Sequence, residues 1–108
     1  MKTFDENMIA TIRQRLSEAY HPLAIFLFGS MVWGNPADDS DVDVCIVVPE
    51  SREKFYKRPI AGYRALRGFS KAVDILVYTQ AEFRSKAAEN QSLCSRILQE
   101  GAAIYGGI

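Results

Sequence analysis

The chain has 108 residues, 48% of them hydrophobic, and its thirteen Lys and Arg residues are balanced by thirteen Asp and Glu. That length supports one hydrophobic core of ordinary size, and a formal net charge of zero argues against bulk electrostatic attraction to nucleic acid. No apolar run approaches membrane-spanning length and the N-terminus has no apolar core followed by a cleavage site, so a cytoplasmic protein without membrane contact is expected.

Residues 5–20 place Met8, Ile9, Ile12, Leu16 and Ala19/Tyr20 at helical spacing, which predicts an amphipathic helix ended by His21-Pro22. Leu23 to Phe28 is a short apolar run stopped by Gly29, the pattern of a strand buried on both faces. Gly29 to Gly34 predicts a turn running into a short helical stretch, and Asn35-Pro36 a loop. Val42 to Val48 is rich in β-branched residues and closed by Pro49, a second strand. Residues 51–58 are polar and carry no clear pattern. Pro59 suits the first turn of a helix over about 59–67, with Ile60, Tyr63 and Leu66/Arg67 forming its faces and Gly68 its stop.

Ala72 to Tyr78 predicts a third strand. Thr79, with Glu82 three residues on, has the capping-box pattern of a helix beginning at Gln80. Residues 91–100 predict a last helix with Leu93, Cys94, Ile97 and Leu98 inward, ended by Gly101 and followed by a short edge strand over 102–105. His21 reads as a turn residue, Met8 as core, and Tyr56 and Tyr63 as partly buried against the sheet. Cys45 and Cys94 lack metal-ligand spacing and read as buried free thiols. The elements together predict an α/β (α+β) chain: a small mixed β-sheet flanked by helices, in a single domain over 1–108.

The charges are unevenly placed. No Lys, Arg or His lies between Pro22 and Ser51, whereas Asp38, Asp39, Asp41, Asp43 and Glu50 do. Residues 52–71 reverse this, with Arg52, Lys54, Lys57, Arg58, Arg64, Arg67 and Lys71 against Glu53 alone. An acidic segment followed by a basic one suits a site holding a metal and a phosphate chain, or else a solvated basic surface.

Asp38 and Asp39 read as turn and cap residues. Asp41 and Asp43 differ, because they open an apolar strand in which aspartate is disfavoured. Asp74 repeats the anomaly in the third strand. Two carboxylates ~5 Å apart repel by about 3 kcal/mol at an effective dielectric near 20, so a cluster of them favours a divalent cation. Period-two geometry puts Asp41 and Asp43 on one face, with Val42, Val44 and Ile46 on the other. The three acids and Gly29-Ser30 meet if strand one is antiparallel to strands two and three, and those two are parallel to each other. A calcium loop competes for the same residues, with Asp39, Asp41, Asp43 and Glu50 at positions one, three, five and twelve, but its glycine position holds Val44. Gly29-Ser30 offers backbone N–H groups and a hydroxyl to an anion, without the Gly-Lys of a Walker loop.

The stretch LFGSMVWGNPADDSDVDVCIVV, read as Gly-Ser, ten residues, then Asp-Val-Asp, resembles the nucleotidyltransferase signature of the DNA polymerase β superfamily. The short chain is similar to its minimal nucleotidyltransferase (MNT) branch. VDILVYT resembles the strand bearing the family's third carboxylate, and ILQEGAAIYG its closing segment. The resemblance implies that Gly29 and Ser30 hold the β- and γ-phosphates of ATP or another NTP and that Asp41 and Asp43 bind two Mg²⁺ ions. Asp74 completes the metal cluster and is the candidate base for the acceptor hydroxyl. It implies AMP transfer to a partner, typically a small helical HEPN protein for which the MNT protein is the antitoxin. A non-catalytic module that neutralises its partner by contact, and a small-molecule transferase of the aminoglycoside type, are the alternatives. Family members often read Gly-Ser-x-x-Arg-Gly, with the arginine near the phosphates, and here Trp33 takes that position. Lys54, Arg58 or Lys71 could replace the arginine, while Trp33 could stack on a base, anchor a partner or simply pack.

Overall fold

The computed structural model describes residues 5–34 and 41–107. The order of elements is α1 (Glu6–Tyr20), β1 (Ala24–Phe28), α2 (Ser30–Trp33), β2 (Val42–Val48), a 3₁₀ turn (Phe55–Lys57), α3 (Pro59–Ala65), β3 (Val73–Thr79), α4 (Gln80–Ala87), α5 (Leu93–Glu100) and β4 (Ala102–Gly106). The strands form one mixed sheet in the order β3-β2-β1-β4. β1 is antiparallel to β2 and β4, and β2 is parallel to β3. This is the strand arrangement required to gather the acids and Gly29-Ser30 at one end.

Local chemistry accounts for the element boundaries. Asp5 caps α1 by accepting the Asn7 N–H at 2.9 Å. His21 ends the helix in the left-handed region (φ 48°), returning its N–H to the Ser17 carbonyl at 2.8 Å. Thr79 and Glu82 form the full capping box at the start of α4. All five residues of β1 are buried, because helices cover both faces of the sheet. On one face Ile25, Leu27, Val44, Ile46 and Ile75 pack with Ile12 and Leu16 of α1, with Met8 at the margin. On the other, Phe26, Phe28, Cys45, Val47 and Tyr78 pack with Phe83 of α4 and Cys94 and Ile97 of α5. Phe83 is fully buried and stacks on Phe26 at 5.8 Å between ring centroids. Cys45 and Cys94 are buried free thiols, and burial pushes the Cys45 thiol far above its ordinary range, which makes it inert.

Three expectations are corrected. Leu93 and Leu98 are exposed. The buried stripe of α5 is Cys94, Ser95 and Ile97; at 100° per residue Leu93 falls outside its arc, whereas Leu98 falls within it and is still 47% exposed. Tyr56 is 69% exposed, because the 3₁₀ turn carries it away from the sheet. Tyr63, 47% exposed, does lie partly against the sheet as expected: its hydroxyl reaches the edge and accepts the Ile75 N–H at 3.0 Å. Arg58 does not serve a phosphate site. It is 6% exposed, its guanidinium forks onto both carboxylate oxygens of Glu82 at 2.7 and 3.2 Å, and it also donates to the carbonyls of Glu53 and Val77.

Removing Glu82 therefore leaves a buried cation with carbonyls alone. Breaking a buried pair costs about 3–5 kcal/mol. Glu82 is 40% exposed, so solvent screening reduces that cost and Glu82→Ala should lose about 2–3 kcal/mol in urea denaturation. The Arg58 fork holds the Glu82 carboxyl down at about 2, against an ordinary value of 4.5. A lowered carboxyl stabilises the fold fully above its unfolded value, and that contribution disappears as pH falls from about 4.5 towards about 2. Urea midpoints of wild type should fall through this window, and those of Glu82→Gln should lack this component.

Candidate active site

The site is built by strand register. Phe28, the last residue of β1, pairs with Asp43 on β2, and Asp43 pairs with Asp74 on β3. Three adjacent strands thus set the start of the Gly29 turn, Asp43 and Asp74 in one row across the end of the sheet. Residues alternate between faces. Asp43 and Asp74 share the parity of Cys45 and Tyr78, so they lie on the face covered by α4 and α5. Asp41 is exposed just before β2, with the same parity.

Gly29 turns the chain at φ 85°, ψ −160°, a conformation that side chains resist. Its carbonyl then accepts the N–H groups of Val32 and Trp33 at 2.9 and 2.8 Å, closing the single turn of α2. A methyl group on Gly29 would overlap Oδ2 of Asp43 and lie 2.9 Å from its Cγ. The Asp43 carboxylate therefore lies against bare backbone, which is the physical reason for glycine here. Ser30 follows as the exposed first residue of α2.

The electrostatics are those of like charges held together. The half-buried Asp43 carboxyl is pushed above the usual range by burial first, then by Asp74, then by Asp41. No cation contributes to the shift. The three acids thus share a field, although no three acidic, His or Cys side chains close into a finished metal cage among the described residues. Hard carboxylate oxygens suit Mg²⁺, which keeps several of its own waters and needs only one or two protein carboxylates. The donor chemistry therefore fits that ion. The calcium-loop alternative fails on backbone grounds, because Asp43 and Val44 lie in the β2 ladder and not in a loop. Asp38, Asp39 and the Asn35-Pro36 loop lie outside the described residues.

Trp33 is packed. Its ring sits 5.9 Å from that of Phe28, and its Nε1 donates to the Glu100 carbonyl at 3.2 Å. The Arg96 guanidinium lies over the ring, 3.8 Å from its centroid, and Arg96 Nε pairs with Glu100 at 3.1 Å. α5 reaches this corner because Gly101, at its end, packs beneath the Leu27 carbonyl. Sequence reasoning missed Arg96. It sits in an ordinary amphipathic helix more than sixty residues from Trp33, and no spacing rule connects the two. Among the described residues, no helix is long and apolar enough to cross a membrane.

Known proteins share this fold. A family profile described as a nucleotidyltransferase domain matches residues 9–104. The fold is similar to the crystal structure of a candidate nucleotidyltransferase from Sulfolobus solfataricus, with TM-score 0.62 and 20% identity over 93% of this chain and 81% of that one. It is also similar to a mutant of the toxin–antitoxin pair MntA-HpeT, with TM-score 0.60 and 19% identity over 95% of this chain and 74% of that one. No curated protein sequence matches this chain. The profile spans nearly the whole chain and the sheet has the matching mixed topology, so the chain belongs to the nucleotidyltransferase domain family.

Proposed function

We propose that this chain, acting in the cytoplasm as a single minimal domain over 1–108, transfers a nucleoside monophosphate, AMP from ATP, to a hydroxyl on a partner protein. The observation that carries this reading is the row across the sheet end: Asp43 against the Gly29 turn on one side and Asp74 on the other, with the Asp43 carboxyl raised by burial first and then by its acidic neighbours. In this reading Asp41 and Asp43 hold Mg²⁺, with Asp74 completing the set. Gly29 and Ser30 hold the β- and γ-phosphates. Bound magnesium would neutralise charge developing on the transferred phosphoryl group and on the leaving pyrophosphate. The acceptor hydroxyl attacks the α-phosphorus, the α–β phosphoanhydride bond breaks, and the hydroxyl proton passes to Asp74. Family membership supports the reaction class. The likeness to a toxin–antitoxin pair supports a toxin as partner, and the resemblance of the sequence to the MNT branch makes a small helical HEPN protein the partner we propose.

The decisive experiment incubates the protein with labelled ATP, Mg²⁺ and the product of the neighbouring gene. Label should pass to the partner, and Asp43→Ala and Asp74→Ala should each reduce transfer by at least about a hundredfold. Equal label in wild type and Asp43→Ala, or none in either, removes the enzymatic reading. Silence in a calorimetric titration with Mg²⁺-ATP would leave neutralisation by contact alone.

The same carboxylates should trade stability against function. Asp43→Asn relieves the repulsion, so in metal-free buffer near neutral pH it should melt above wild type. Asp43 is only half-buried and solvent screens the effect, so the gain should be below about 1 kcal/mol. Millimolar Mg²⁺ should raise the melting temperature of wild type and not of Asp43→Asn. Gly29→Ala, which forces the carboxylate away, should lose at least about 1 kcal/mol and the Mg²⁺ response together.

A further inference from the structure

Beside the carboxylate row, α5 and the end of α2 form an open cleft of about 590 Å³, lined by Trp33, Ser92, Ser95, Arg96, Gln99 and Glu100. None of the three aspartates lines it. Trp33 joins the two regions: its ring rests on Phe28, whose strand partner is Asp43. Arg96 is thus anchored at the sheet end that carries the acids, whereas Arg58 is consumed by Glu82 and by carbonyls that include Val77, near the opposite end of β3.

The Arg96 side chain is 52% exposed, yet it is held. Trp33 supports the flat face of its guanidinium and Glu100 takes Nε. Among the described residues the two Nη groups make no hydrogen bond, so the outer part of a rigid fork faces the cleft. A fixed planar guanidinium with spare donors is shaped for two oxygens of one phosphate. Stacking on tryptophan has already restricted its rotamers, so less conformational freedom is lost on binding.

We infer that Arg96, stacked on Trp33, binds the polyphosphate tail of the nucleoside triphosphate whose reacting end lies at the carboxylate row. The inference rests on the nucleotidyl-transfer reading and adds to it a cation from α5, outside the Gly-Ser and Asp-Val-Asp segments. Arg96 binds substrate and takes no part in proton transfer.

Trp33 is the single tryptophan of the chain, so its emission reports on the stack. The test is calorimetric titration of the full chain with Mg²⁺-ATP, AMP and inorganic tripolyphosphate, with tryptophan emission recorded alongside. ATP and tripolyphosphate should bind wild type and shift its emission. Arg96→Ala should weaken both by about ten- to a hundredfold and alter AMP binding by less than about twofold. Arg96→Lys, which keeps the charge without the planar fork, should fall between. The inference is overturned if Arg96→Ala binds ATP as wild type does, or weakens AMP and ATP equally, as a base-stacking or purely structural residue would. Wild type that binds none of the three probes overturns the nucleotide reading itself, so the two failures are distinguishable.

Discussion

The antiparallel pairing of β1 with β2 sets Phe28 opposite Asp43, and the site follows from that one register. Because β3 runs parallel to β2, Asp74 falls beside Asp43 and at the same end. Because β1 runs the other way, its last residue meets the start of β2, and the chain must turn over a carboxylate. Only a residue without a side chain fits there, and Gly29 adopts the backbone angles that this turn requires. A register slip of one residue would send Asp43 to the face covered by α1 and carry Val42, Val44 and Ile46 off it. Those fully buried positions make the slip prohibitive, so the core enforces the geometry of the acids.

A sheet end that collects like charges needs stability from elsewhere, and it comes from the two packed faces and from the Arg58–Glu82 pair. That pair joins the segment before α3 to the cap of α4, and its guanidinium also reaches the Val77 carbonyl on β3. Tyr20 adds a second tie, donating to the Arg58 carbonyl at 2.6 Å and accepting the Gly62 N–H at 2.8 Å. The fold is thus braced where its charges are paired, away from the sheet end where Asp43 lies beside Asp74.

Much of this was legible in the sequence, for identifiable reasons. The apolar runs of β1 and β2, the Thr79–Glu82 box and Gly29 at the end of a buried strand are local signals, and each produced the element expected. Aspartates intruding on apolar strands marked Asp41, Asp43 and Asp74, and topology then placed them together. Properties set by contacts between distant segments were not legible. Arg58 looked like one more base in a basic run until Glu82 was seen beside it. Leu93 and Leu98 looked inward because an eight-residue helix offers too few turns to fix the centre of its apolar stripe. Arg96 had no local signature, since its meaning comes from Trp33.

β3 ends the sheet and would ordinarily offer its outward backbone groups to any passing strand. Tyr63 reaches down from α3 and occupies the Ile75 N–H, one peptide beyond Asp74. The rim nearest the acids is thereby blunted against strand addition, which protects this edge of a small sheet from pairing with another strand. A macromolecule approaching Asp74 from this side meets a tyrosine hydroxyl and a helix flank, and must engage through side chains and not through its backbone.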